Sequence, residues 1–303
     1  MWLAVSLTGY AILAIVSVLD KYILTKEKVK PSLFVFYSAF PVLVVFMLLP
    51  FVGRTYLNSI QDFFLAAISG LTFVLGLWTM YRGFLKSEVS HIAPLIGGLV
   101  PPVILILGQR FLDEILFSNQ ILALWLLTIG TLLVAFEYKD NKYKIGIGVF
   151  YGVLSAMLFA VSHVSAKFLY DSYDFITGFI WTRGMIGVFG TILLAYGPLR
   201  RAIFHGKNDT KLIEQKKSNK NSWVILDKIL AVVGVVLVQY GISLGSVTVV
   251  SALAGIQFAI LIVLVYLLSK FLPRKFREEY GRFELAQEVV AIVLIVAGLV
   301  MMV

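Results

Sequence analysis

Long uncharged runs of apolar residues alternate with short charged segments along the whole chain, and the length of the runs is the informative quantity. A helix needs about 20 mostly apolar residues to cross the roughly 30 Å hydrocarbon layer of a bilayer. Windows of that size fall at Trp2–Leu19, Pro31–Gly53, Phe63–Tyr81, Val89–Gln109, Ile115–Phe136 and Ile145–Ala166. A seventh, Phe175–Pro198, contains a single charge, Arg183. The uncharged stretch Ile229–Ser269 is too long for one crossing. It divides at Gly241-Ile-Ser-Leu-Gly245-Ser246 into an eighth and a ninth helix joined by a tight hairpin. Leu285–Val303 supplies the tenth. The pattern predicts an all-α membrane protein with ten transmembrane helices. No basic residue precedes the first run and no small-residue cleavage site follows Val18-Leu19-Asp20-Lys21, so that run reads as a retained helix rather than a secretory signal.

Ten spans divide into two fives, and the halves share an order of features. Tyr10 to Lys21 aligns with Ala156 to Lys167, both apolar helices closing on a lysine. Ser87 to Val100 aligns with Gly245 to Phe258 at one constant offset, pairing Val89 with Val247, Leu95 with Leu253 and Gly97 with Gly255. Gly130 in the fifth span then corresponds to Gly298 in the tenth. An odd number of crossings per unit inserts the second unit upside down relative to the first, so two inverted five-helix repeats are expected, residues 1–138 and 139–303, with a basic linker at about 199–228.

Composition agrees with a lipid solvent: 60% of the 303 residues are hydrophobic and 14% are charged. A soluble domain averages about 45–50% apolar and about 25% charged. The net charge of +9 would suggest nucleic acid in a soluble protein, but here its placement explains it. Of the 26 Lys and Arg, all but Arg54, Arg110, Lys167 and Arg183 lie in the five loops after odd-numbered spans. The positive-inside rule puts those loops in the cytoplasm and both termini outside, in a plasma (inner) membrane. No nucleic-acid partner is expected. The absence of cysteine excludes disulfides, iron–sulfur clusters and thiolate zinc sites, and three histidines leave little for any metal centre. No cofactor and no metal are expected.

Around spans four and five the chain reads Pro101-Pro-Val-Ile-Leu-Ile-Leu-Gly-Gln-Arg-Phe-Leu-Asp-Glu114-Ile-Leu-Phe-Ser-Asn-Gln120, with Gly130 following. This resembles the signature of the EamA-type family of the drug/metabolite transporter superfamily: a proline in the fourth helix, a glutamate beyond its end, a glutamine six residues later and a glycine in the next helix. The lysines that close the first helix of each half, Lys21 and Lys167, and the arginine in a second helix, Arg183, are further points of resemblance. It implies ten helices in two repeats and a small-molecule transport function. The chain departs from the pattern at Ala259, where the second repeat would carry its proline, and at Ala123, where a glycine is usual. The family more often keeps its termini in the cytoplasm, opposite to the charge count.

Candidate chemistry follows from polar residues placed in lipid. Arg183 is too deep for an interfacial charge, and a charge near the bilayer centre costs at least about 2.5–3.5 kcal/mol. It is therefore expected to face the bundle interior, either as a fixed positive charge for an anionic substrate group or as a clamp on backbone carbonyls. Pro101 and Pro102 remove two helical donors and predict a kink or opening of the fourth helix. His163 shares a face with Lys167. Trp78, Tyr81, Trp181, Gln239, Tyr240, Ser251 and Gln257 are candidates for a cavity of mixed aromatic and polar character, each with packing or anchoring as the plainer role. Glu114 reads as a loop and capping residue, with transport chemistry as the alternative.

Absences narrow the function further. No Asp or Glu lies in the central portion of a span, which leaves no seat for a carboxylate that trades protons for a cationic drug. No phosphate-binding Gly-x-x-x-x-Gly-Lys-Ser/Thr loop, His-Glu-x-x-His or Gly-x-Ser-x-Gly motif is present. The sequence points away from an enzyme and toward a secondary transporter, an exporter of an amino acid or other zwitterionic or anionic metabolite. The alternatives are a nucleotide-sugar or phosphorylated-metabolite exchanger and a non-transporting membrane scaffold or enzyme. The expected partners are a small-molecule substrate and the lipid bilayer; oligomeric state is not readable.

Overall fold

The structure, a computed structural model, describes residues 1–27, 31–52, 56–87, 89–135, 138–139, 142–143, 146–195, 197, 200, 220–271 and 282–302. In chain order its helices are α1 (Trp2–Glu27), α2 (Pro31–Ala39), a 3₁₀ segment (Phe40–Phe51), α3 (Ile60–Lys86), α4 (Val89–Phe111), α5 (Ser118–Ala135), α6 (Ile147–Ser172) and α7 (Phe175–Ile192). After a short 3₁₀ turn (Leu193–Ala195) follow α8 (Lys220–Leu244), α9 (Val247–Ala252), α10 (Ala254–Phe271) and α11 (Arg282–Met302). One antiparallel pairing, Tyr138–Lys139 with Lys142–Tyr143, closes the turn between the two halves of the chain. Among the described residues nine helical segments are long and apolar enough to cross a bilayer, and α11 adds a shorter apolar stretch, Ala286–Met302. The architecture is all-α and multi-pass.

Large apolar side chains cover the outside as well as the inside, as lipid contact requires. Ile106, Leu122, Ile129, Val289, Val293 and Val300 face outward, while Phe34, Ile104, Leu124, Leu127, Ile186, Ile242 and Leu253 are fully buried. Without a hydrophobic driving force between helices, close packing and interhelical hydrogen bonds hold such a bundle together. The α3–α6 contact uses both. Ser69 Oγ donates to the Ser162 carbonyl at 3.0 Å, Ser162 Oγ to the Ser69 carbonyl at 2.8 Å, and Ser155 Oγ to the Gly76 carbonyl at 2.9 Å. α1 lies along α8, α5 along α11, and α4 against α5, α6 and α9.

The second span is not one α-helix. It changes to a 12-residue 3₁₀ helix at Phe40, immediately before Pro41, whose missing N–H and ring interrupt the α ladder. Runs of 3₁₀ longer than a few residues are uncommon, and the partner explains this one. With three residues per turn, Phe40, Leu43 and Phe46 stack in a single row. They meet Gly190, Gly187 and Gly184 of α7, where a β-carbon would collide with the facing backbone or ring.

Three expectations need correction. Of the kink or opening expected at Pro101 and Pro102, the fourth span shows no opening: α4 is continuous from Val89 to Phe111. The interruption lies in the ninth span instead, where Leu253 separates α9 from α10 and its N–H is shared among the carbonyls at the end of α9. The eighth span does not begin at Ile229. α8 starts at Lys220, so Asp227 and Lys228 belong to the helix. Residues 201–219, most of the expected basic linker, lie outside the described residues.

Candidate functional site

α7 is set by its first turn. Asp174 is the N-cap, its Oδ2 accepting from the Thr177 N–H at 3.0 Å and its Oδ1 from the Thr177 hydroxyl at 2.7 Å. Partial burial pushes the Asp174 carboxyl up, but the hydrogen bonds from Thr177 and neighbouring backbone N–H groups outweigh it and hold the group below the ordinary aspartate value of 3.8. Arg183 then sits about 12 Å along the axis, near the middle of the apolar span Phe175–Ala195. The glycine row packs against the 3₁₀ helix, and Arg183, 2% exposed, reaches Gln239 of α8 and the Phe73 ring of α3.

Around it the helices deliver a connected polar group. Arg183 Nη2 donates to Gln239 Oε1 at 3.1 Å, and the guanidinium carbon lies 5.2 Å from the centre of the Phe73 ring. Tyr170 Oη donates to the same Gln239 oxygen at 3.0 Å. Gln239 Nε2 is 3.4 Å from His163 Nδ1. A guanidinium has no acceptor, so Gln239 must turn its oxygen to Arg183 and its amino group to His163. His163 therefore accepts at Nδ1 and carries its proton on Nε2, as a neutral imidazole. Thr182 Oγ1 donates to the Gly178 carbonyl at 2.8 Å and lies 3.5 Å from Tyr170 Oη. Phe175 stands 5.5 Å from the Tyr170 ring and 5.1 Å from Tyr240, forming an aromatic wall. Arg183 Nε and Nη1 are buried and have no hydrogen-bond partner among the described residues.

Of the sequence candidates, Arg183, His163 and Gln239 converge here, with Tyr240 on the aromatic wall; the others are dispersed. Trp181 packs between Phe46 and Phe63 on another side of α7. Trp78 lies 4.7 Å from the Arg82 guanidinium. Gln257 Nε2 donates to Ser17 Oγ at 3.0 Å, and Ser251 is buried on α9 with its hydroxyl unpartnered. Tyr81 packs edge-on against Phe34 at 4.9 Å. Lys167 pairs with Asp171 at 2.7 Å, and the Lys21 side chain lies outside the described residues.

The signature residues sit at helix ends and contacts. Glu114 Oε2 accepts from the Thr248 hydroxyl, and its Oε1 lies 3.4 Å from the Thr248 N–H, so the loop after α4 caps the N-terminus of α9. Asp113 adopts φ 49°, the left-handed turn that lets the Glu114 N–H reach the Gly108 carbonyl at 3.2 Å. Gln120 Oε1 accepts from the Phe117 N–H at 3.0 Å at the start of α5. Gly130 admits Ala291 and Ile295 of α11, and Gly298 reciprocally admits Ala123 and Leu127 of α5.

Sequence reasoning missed Tyr170 and Thr182 beside Arg183, and it missed a second buried polar group altogether. Asp20 near the end of α1 meets Asp227 and Lys228 of α8: Lys228 Nζ lies 2.9 Å from Asp227 Oδ2 and 3.6 Å from Asp20 Oδ1. The Asp227 side chain is fully buried, and Lys228 stands 4.1 Å over the Phe34 ring. These residues flank the uncharged runs, and a search for charge-free windows discards them by construction. A cavity of about 400 Å³ between α3, α4 and α6 is apolar, with Leu65, Ile68, Leu107, Val161, Val164 and Phe168 in its wall, and takes in none of the sequence candidates. Among the described residues no three His, Asp or Glu side chains converge as a metal site requires.

No family model and no curated protein matches the chain. Among 25 solved chains that match its fold is a crystal structure described only as that of a protein, at TM-score 0.64 and 15% identity over 98% of this chain and 96% of the other. At that identity the likeness extends to the fold alone.

Proposed function

We propose that the chain is a secondary transporter similar to EamA-type exporters, moving a small organic metabolite by alternating access between two inverted five-helix units. The carrying observation is Arg183: a buried guanidinium midway along its apolar span, hydrogen-bonded to Gln239, with Nε and Nη1 without a hydrogen-bond partner among the described residues. Each unsatisfied buried donor costs about 1–3 kcal/mol, and two on one charged group favour a ligand-binding role over a purely structural one. Donors held open in the core suit a ligand that arrives with acceptors, an anionic or zwitterionic metabolite.

The inverted arrangement is supported by reciprocal packing. α1 lies on α8 as α6 lies on α3, α1 meets α10 as α6 meets α4, and α5 and α11 exchange their glycines. In this reading α11 is the tenth crossing, and the charge count puts both termini outside. A phosphorylated-metabolite exchanger would need further free cations beside Arg183, whereas Lys228 and Lys167 are engaged by carboxylates.

The test is efflux of a labelled metabolite panel from cells producing the protein, comparing wild type with Arg183→Gln at matched membrane levels. Saturable efflux of at least one anionic or zwitterionic compound, reduced about tenfold or more by the substitution, is expected. Identical handling of every such compound by the two proteins removes Arg183 from the mechanism.

A further inference from the structure

We infer that the Arg183 site selects monoanionic carboxylates over zwitterions, because every polar edge it leaves open for hydrogen bonding by its charged and heterocyclic groups is a donor. The inference rests on the transporter reading and sharpens its substrate class.

It follows from counting donors and acceptors. The Gln239 oxygen already accepts from Tyr170 and Arg183, and its amino group donates to His163 Nδ1. His163 thereby loses its acceptor nitrogen and retains only Nε2–H. Arg183 retains Nε–H and Nη1–H, both buried and unpartnered. The Tyr170 and Thr182 hydroxyl protons are committed to Gln239 and to the Gly178 carbonyl, and the two oxygens face each other at 3.5 Å. The flanking surfaces are the rings of Phe73, Phe175 and Tyr240.

A carboxylate matches what is left: Nε–H and Nη1–H lie on opposite edges of the guanidinium, each a charge-assisted donor for a carboxylate oxygen, with the imidazole N–H as a further donor. An ammonium group finds no free carboxylate or amide oxygen in this cluster, only the neutral hydroxyl oxygens of Tyr170 and Thr182 whose protons are committed elsewhere. It also meets the uncompensated positive charge of Arg183, since no ion pair joins that residue to a carboxylate among the described side chains. A zwitterion would bring its acceptor half to a good site and its donor half to a repulsive one. An analogue that replaces the ammonium with a hydroxyl or an oxo group keeps the first and avoids the second. Discrimination by an unpaired buried polar group exceeds what shape alone supplies.

The test uses purified protein in proteoliposomes and three probes on one carbon skeleton: 2-hydroxy-4-methylpentanoate, its 2-oxo analogue and leucine. The hydroxy and oxo acids are expected to be transported with kcat/KM about tenfold or more above leucine, and Arg183→Lys to lower both. Gln239→Glu places a carboxylate beside the guanidinium and is expected to shift the preference toward leucine by about tenfold, with thermal unfolding in detergent confirming that the variant is folded. Leucine transported as well as or better than the two acids, in an Arg183-dependent way, overturns the inference and leaves the transporter intact. Failure of all three probes both to be transported and to raise the unfolding temperature of the wild-type protein overturns the inference and the Arg183 reading together. An unaltered preference in folded Gln239→Glu overturns the donor count.

Discussion

Replacing Gln239 with leucine separates the role of its amide oxygen from that of its volume. The two side chains are similar in size, so the substitution removes the acceptor for Tyr170 at 3.0 Å and for Arg183 at 3.1 Å with little cavity. In water-soluble proteins a hydrogen bond to a charged group contributes about 1.5–3 kcal/mol and a neutral one about 1 kcal/mol. Inside a bilayer the unfolded reference also finds partners, and measured interhelical couplings average about 0.6 and reach about 1.7 kcal/mol. Arg183 has no second hydrogen-bond partner to fall back on, which places this pair toward the upper end; the expected loss is about 2 kcal/mol. At roughly 2–4 °C per kcal/mol, the protein should unfold about 5 °C lower, read by fluorescence-detected thermal unfolding in a mild detergent. Gln239→Glu keeps an acceptor for both donors and loses only the 3.4 Å amino contact to His163, so it should unfold closer to wild type than the leucine variant does. A leucine variant within about 1 °C of wild type, or a glutamate variant as unstable as leucine, would refute the claim that this oxygen organises the site.

Other consequences are equally concrete. Lys228→Met leaves Asp20 and the buried Asp227 facing each other and should destabilise by about 3 kcal/mol; adding Asp227→Asn should recover most of that loss in the same melting assay. Glu114→Ala removes the acceptor at Thr248 while leaving the Ser246 cap of α9 in place and should cost about 1 kcal/mol, whereas Glu114→Gln should cost less than half of that. Asp174 has a depressed carboxyl, so its contribution is complete above the unfolded aspartate value of 3.8 and is lost as pH falls through the lower folded value. Melting temperature measured from neutral to acid pH should therefore fall less steeply at the acid end for Asp174→Asn, which keeps the cap without the titration. Asp113→Val should destabilise and Asp113→Gly should not, since φ 49° excludes a β-branched side chain.

How much of this was legible in the sequence depended on whether the signal was one of kind or of juxtaposition. The lipid-crossing segments were legible because a bilayer demands internally satisfied helices of fixed apolar length, a constraint written residue by residue. Arg183 was legible for the same reason, as a lone charge in such a run, and its burial follows from the cost of facing acyl chains. Gln239 and His163 could be nominated as polar residues in apolar helices, and the two-residue spacing already turns Trp181 away from Arg183 on α7, but nothing linear says that Gln239 and His163 meet each other and Arg183. That outcome belongs to the rotation of α7, fixed by the glycine row against the 3₁₀ helix. The 3₁₀ helix itself, the local turn at Leu253, and the pairing of Asp20 with Asp227 were decided by packing between segments far apart in the chain. Hydropathy specifies which solvent each stretch accepts; only the fitted bundle specifies which of its faces finds a partner, and the open donors of Arg183 are what that fitting leaves over.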